Sequence, residues 1–359
     1  MNSLEINPSS PRHSHDHSSL PSTAVGSDTK DLKFERPIDR MGVETAHNEH
    51  TVVSSSQVSS PPSSIPEMET ELKWSKTRTI WQDAFSEFWG VFIMIMFGDG
   101  VVAQVVLSNK KNGDYQSISW GWGIAVMLGV YVAGKSGGHL NPAVTLAACV
   151  FRKFPWRKFP VYFLAQLLGA MTAAAVVYGN YRSAIDVFEG GVGIRTVGGD
   201  TSTAGIFCTY PAAFLTRTGM FFSEFICTAV LIFVIYALND NGAGNLMPLC
   251  LFFLIFGIGA CFGWETGYAM NLARDFGPRL VSYMIGYGHD VWSAGGYYFW
   301  IPMVSPFLGA LTGGFLYDVF LYTGNDSPVN TPYLGFARLF QWKRSVWSNT
   351  YQVQNKEMV

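Results

Sequence analysis

Charge is scarce in this sequence. Asp, Glu, Lys and Arg make up only 14% of its 359 residues, against about 25% in soluble domains. The net charge is −2, so no basic field points to nucleic acid as a partner. Cysteine is also sparse: Cys149, Cys208, Cys227, Cys250 and Cys261 are scattered through mostly apolar stretches. Such spacing gives neither a disulfide framework nor a metal-ligand set, and the thiols read as packing groups. No cofactor motif and no catalytic constellation is visible, so an enzyme is not expected. Residues 1–75 hold no apolar core long enough for a signal peptide, and the first apolar span is expected to direct insertion.

What is abundant is apolar surface. Hydrophobic residues reach 48% and aromatics 15%, with 37 glycines and 27 phenylalanines. Glycine at this level suits helices that pack closely in a bilayer. The polar exception is the stretch 1–75, rich in Ser, Pro, His, Asp and Glu. It cannot bury enough apolar area to offset the entropy of ordering and reads as a disordered tail. Its His13, His15 and His17 are better explained as part of that solvated tail than as a metal tract.

Six apolar segments follow, at about 82–107, 118–136, 158–180, 217–238, 245–263 and 297–322, each near the ~20 residues needed to span a bilayer. Two shorter apolar stretches, 141–150 and 271–285, stand beside glycine-rich bends. Too short to span, they have the character of re-entrant half-helices.

The chain also repeats itself. Phe85-Ser86-Glu87-Phe88 recurs as Phe222-Ser223-Glu224-Phe225, and Asn141-Pro142-Ala143 is answered by Asn271-Leu272-Ala273. Each copy holds three spans and one half-helix, about 80–180 and 217–322. An odd number of spans turns the second copy upside down, so the half-helices enter from opposite faces with their N-termini meeting near the midplane. There the unpaired N–H groups and positive dipole ends would oppose protons and cations. An asparagine at each helix start can cap it through the side-chain oxygen and aim its amide hydrogens at the lumen.

Lys73, Lys76 and Arg78, then Arg152, Lys153, Arg157 and Lys158, then Arg338, Lys343 and Arg344 fall on one side of a six-span arrangement. The positive-inside rule makes that side cytoplasmic and puts both termini there. The expected organisation is a tail over 1–75, a membrane body over 76–322 and a C-terminal tail over 323–359.

The motifs Ser136–Thr145 (SGGHLNPAVT) and Gly267–Arg279 (GYAMNLARDFGPR) resemble those of the major intrinsic protein family, the aquaporins and aquaglyceroporins. The resemblance covers about residues 80–322. It implies an all-α membrane protein of six transmembrane helices plus two half-helices from an inverted repeat, assembled as a homotetramer with one pore per subunit. Asp275 after Arg274, the stretches Gly191–Thr196 and Thr203–Phe207, Tyr210-Pro211 and Pro302-Met303 resemble the glycerol-conducting branch.

The resemblance further implies an outer constriction, or selectivity filter, made by an aromatic of the second span with Gly259, Tyr268 and Arg274. Counting back from Asn141 leaves the aromatic open between Trp122, preferred, and Trp120. Two aromatic faces would hold the CH edge of glycerol while Arg274 and backbone carbonyls bind its hydroxyls. Gly259 leaves room where water-selective relatives carry histidine. Glu87 and Glu224 are expensive in a membrane span unless satisfied. Their equivalent positions suggest that each bonds the re-entrant loop of its own half, as the resemblance also implies. Leu272 departs from the usual proline, yet Asn271 keeps the cap, so the half-helix is expected to form.

These features together lead to the expectation of a passive channel for glycerol and other small neutral solutes, with some water, in the lipid bilayer of the plasma membrane. The alternatives are a water-dominant or non-conducting member of the family, a coupled secondary transporter, and a sensor whose tail is the working part.

Overall fold

The computed structural model describes residues 72–325 and 327–331. Most of the 1–75 tail, including the three histidines, and the C-terminal stretch from 332 onward lie outside the described residues. The regular elements of the described residues are helices, of which the α-helices are α1 (Lys73–Ile80), α2 (Gln82–Leu107), α3 (Tyr115–Val132), α4 (Pro142–Phe151), α5 (Phe159–Phe188), α6 (Arg217–Asp240), α7 (Met247–Thr266), α8 (Leu272–Ser282), α9 (Asp290–Tyr297) and α10 (Ile301–Phe320).

Five stretches, containing α2, α5, α6, α7 and α10, are long and apolar enough to cross a membrane. The sixth span, α3, has 18 residues. Its polar first turn, capped reciprocally by Asp114 and Ser117, lowers its apolar character. The outer faces carry exposed apolar side chains such as Leu168, Phe222, Phe253 and Leu308, the arrangement expected of helices solvated by lipid.

The repeat governs the packing as well as the motifs. A Cβ on Gly169 of α5 would lie 2.4 Å from the Phe88 carbonyl oxygen, and one on Gly309 of α10 would lie 2.3 Å from that of Phe225. Each crossing therefore needs glycine where one helix runs against the backbone of another. Both backbones are those of the final phenylalanine in the repeated Phe-Ser-Glu-Phe.

Several boundaries differ from the sequence expectation. The third span continues to Phe188, past the last apolar run, and no glycine or proline interrupts it between Asn180 and Phe188; Gly190 then takes φ 84°. The last span begins close to the expected 297: Gly295, Gly296 and Tyr297 take positive φ, a 3-10 turn over Tyr298–Trp300 follows, and α10 continues it from Ile301. The second half-helix ends at Ser282 and passes into a π-turn over Tyr283–Tyr287, broken at Gly286 with φ 110°. The start of the expected C-terminal tail folds back: Ser327 is buried and its hydroxyl donates to Asp318 of α10.

Candidate functional site

The two half-helices meet end to end. Asn141 and Asn271 are their N-caps, with nearly equal backbone angles of φ −149°, ψ 124° and φ −151°, ψ 114°. Asn141 Oδ1 accepts from Ala143 N at 2.9 Å, and Asn271 Oδ1 accepts from Ala273 N at 2.9 Å and Arg274 N at 3.3 Å. Pro142 and Leu272 hold the same first helical position. That position has no intrahelical partner for its N–H, so either residue serves.

The amide nitrogens tie the halves together. Asn141 Nδ2 donates to the Met270 carbonyl at 2.7 Å, and Asn271 Nδ2 donates to the Leu140 carbonyl at 2.8 Å. Each amide spends one hydrogen on this crossed pair and keeps one. Sequence reasoning gave both hydrogens to the lumen and missed the pairing. The accepting residues sit in the left-handed region, Leu140 at φ 54° and Met270 at φ 50°. Strain of this kind, of order 1–3 kcal/mol per residue, persists only where the surroundings fix it.

The two glutamates do the fixing. Glu87 is fully buried and accepts four bonds: from Ser136 Oγ (2.5 Å), His139 N (3.0 Å), Leu140 N (2.8 Å) and Gln166 Nε2 (2.8 Å). Glu224, equally buried, accepts from Ala269 N (2.9 Å), Met270 N (2.8 Å) and Tyr298 Oη (3.3 Å). Both grip the two backbone N–H groups immediately before the asparagine.

A cavity of about 340 Å³ runs past this junction, lined among others by Trp122, Tyr268, Arg274, both asparagines and, at its far end, Arg152. The Arg274 guanidinium lies over the Trp122 ring, 4.3 Å from its centroid, a cation–π geometry. Trp122 is buried, whereas Trp120 is half-exposed and packs in tilted contact against Phe252 and Phe256 of α7. Of the two tryptophans, Trp122 is the one beside Arg274.

Gly259 is placed differently from the sequence picture. The room it leaves is filled by Tyr268, whose ring carbon and hydroxyl would come within 2.8 Å of a Cβ there. Gly263, one turn on, is covered by the same ring. The glycines thus let the tyrosine retreat into the wall of α7, and its hydroxyl is buried with no hydrogen bond in the geometry of the described residues.

Arg274 and Asp275 point to different tasks. Arg274 Nη1 donates to the Phe207 carbonyl at 3.1 Å. Asp275 turns away from the cavity and accepts from Thr209 N (2.8 Å), Thr209 Oγ1 (2.6 Å) and Arg279 Nε (2.9 Å). Arg279 also donates to the carbonyls of Val291 (2.7 Å) and Thr209 (2.6 Å). The pair clamps the long connection between α5 and α6 onto α8. This fixes the Phe207 carbonyl that Arg274 uses.

Arg279 and Thr209 had no role in the sequence reading. The i,i+4 spacing of Asp275 and Arg279 on an apolar half-helix was the available signal. Arg152 was seen only as a topological charge. It pairs with Asp318 at 2.9 Å and packs against Tyr236 and Tyr322, 4.0 and 4.3 Å from their ring centroids. Among the described residues no cluster of His, Cys, Asp or Glu could hold a metal ion.

Comparison with known proteins adds to this geometry. The family model described as Major intrinsic protein matches residues 73–317. A protein of Gibberella zeae named Probable aquaglyceroporin-2 is 70% identical over 303 residues, covering 84% of this chain and 90% of the relative. Aquaglyceroporin-9 of Botryotinia fuckeliana is 70% identical over 272 residues, which are 75% of this chain and 60% of that protein. Among solved structures, the X-ray structure of the aquaglyceroporin from Plasmodium falciparum aligns with a TM-score of 0.60 at 33% identity, over 67% of this chain and 96% of that one.

Proposed function

Since the chain belongs to the major intrinsic protein family, we propose that it is a passive channel conducting glycerol and other small neutral solutes, with some water. The observation that carries this is one stretch of the cavity lining, where Trp122 and Tyr268 stand with Arg274 and the guanidinium lies over the Trp122 ring. Such a lining offers apolar faces to the CH edge of a polyol and charged donors to its hydroxyls. Among the described residues the Arg274 guanidinium makes one hydrogen bond, from Nη1 to the Phe207 carbonyl. That leaves donors of the guanidinium free for a solute.

Within this reading Trp122, Tyr268 and Arg274 form the selectivity filter, and Gly259 widens it by giving Tyr268 space. Asn141 and Asn271 each offer the remaining amide hydrogen to a solute chain at the midplane. The opposed helix N-termini raise a positive barrier to protons and cations. Glu87 and Glu224 are supports of the loops: their oxygens are taken up by backbone and side-chain donors, which speaks against these two glutamates as a proton relay of a coupled transporter.

The basic groups before α2, between α4 and α5, and beyond α10 support both termini in the cytoplasm. We place the protein in the plasma membrane as a homotetramer, with a pore in each subunit. Reconstitution of the full chain into vesicles tests the function. Glycerol-driven swelling well above that of empty vesicles is expected, and fast water flux without glycerol flux would refute it.

A further inference from the structure

α2 carries the sequence Gly98-Asp99-Gly100 in its middle. Asp99 is fully buried, and neither of its carboxylate oxygens has a hydrogen-bond donor among the described residues. A bare carboxylate in a membrane span is costly and calls for a partner. The nearest charge of opposite sign is Arg274, with Nη1 3.9 Å from Asp99 Oδ1.

The alternatives for each charge are already taken. Asp275, the other buried acid here, is occupied by Thr209 and Arg279. Arg279 in turn is spent on Asp275 and two carbonyls. Asp99 and Arg274 are therefore the pair that remains. The residue before Asp99 works on the same constriction: a Cβ on Gly98 would lie 2.4 Å from the Trp122 indole. Two successive residues of α2 thus stand behind two members of the filter.

We propose that Asp99 is a positioning residue for Arg274 and so a determinant of solute selectivity. Its carboxylate attracts the guanidinium from outside the lumen and holds it over the Trp122 ring. The attraction acts at 3.9 Å without a hydrogen bond, because Coulomb forces are weakly screened in a dry interior. Without it, the Phe207 carbonyl and the Trp122 ring remain as restraints, and the guanidinium moves further into the passage. A polyol loses space before water does. The proposal rests on the reading of Trp122, Tyr268 and Arg274 as the filter.

Two substitutions separate charge from packing. Asp99→Asn keeps the shape and removes the charge. Asp99→Glu keeps the charge and adds one methylene, whose reach of about 1.5 Å shortens the gap to Arg274. If Asp99 merely fills space, Asn is harmless and Glu is not. If it positions Arg274, the order reverses.

The test is stopped-flow measurement of glycerol and water permeability on the full chain and both variants in vesicles, normalised to reconstituted protein. The Asp99→Asn ratio of glycerol to water permeability is expected to fall about fivefold or more, the scale on which charged positioning contacts act. The Asp99→Glu ratio is expected to stay within about twofold of the unaltered chain. An unchanged ratio in Asp99→Asn, or an equal loss in Asp99→Glu, overturns the proposal alone. Absence of glycerol flux in the unaltered chain overturns the channel reading with it.

Discussion

Tyr268 lies where a side chain on Gly259 would have to be: a Cβ there would come within 2.8 Å of its ring. In the proposed filter the width is thus set by two residues jointly, with the glycine deciding how far the tyrosine withdraws. Gly259→Ala is therefore expected to push the ring into the cavity and lower glycerol permeability by about tenfold or more, within the roughly hundredfold that a one-ångström misplacement can cost. Water permeability should fall less. Adding Tyr268→Ala should restore glycerol flux. Stopped-flow measurement of the single and double variants checks this, and a Gly259→Ala channel with unchanged glycerol flux would remove Tyr268 from the constriction.

The glutamates should behave as a matched pair. Glu87→Leu and Glu224→Leu each strand the two backbone N–H groups before an asparagine. The stability loss is expected to be about 3 kcal/mol or more for each, as for removal of one partner in a buried charged network. Thermal unfolding of purified protein in detergent reads it. A shift in only one of the two would show that the halves are not energetically equivalent.

The crossed amides give a coupling. Asn141→Ala removes a cap and the bond to Met270, and Asn271→Ala removes a cap and the bond to Leu140. Each is expected to cost about 1–2 kcal/mol from the cap alone. Their sum should differ from the double variant by about 0.5 kcal/mol or more, since the two loops share one junction. Additive losses in a double-mutant cycle would argue that the loops are held independently.

Leu272→Pro should be benign. Asn271 sits in the extended region, φ −151°, ψ 114°, which a following proline accepts, and the first helical position needs no N–H. A stability gain of about 0.5 kcal/mol is expected from the stiffer unfolded chain, with flux within about twofold of the unaltered chain. A large change in the glycerol-to-water ratio would mean that leucine itself tunes the pore.

What the sequence could disclose follows from where its information lies. The half-helices were legible because two asparagines, two glycine-rich bends and two Ser-Glu pairs recur in register. One copy of any of them is a commonplace. The glutamates' bonding could be foreseen, since a buried acid repeated at equivalent positions needs equivalent donors. Counting did not separate Trp122 from Trp120, because α3 stops at Val132 and an irregular bend with Gly137 and Gly138 at positive φ intervenes before Asn141. Thr209, bonded to Asp275 across 66 positions, has no local signature at all. Asp99 was passed over inside an apolar run, although a carboxylate there is its strangest member. The room left by Gly259 was foreseen, but not that Tyr268 would take it.

The most direct test of the account is glycerol permeability of the full chain in proteoliposomes, beside an Arg274→Ala variant of equal reconstitution. The expected result is glycerol-driven volume change far faster than in empty vesicles, altered in its glycerol-to-water ratio once Arg274 is gone. Glycerol flux no faster than in empty vesicles, or a ratio untouched by the loss of Arg274, would contradict it.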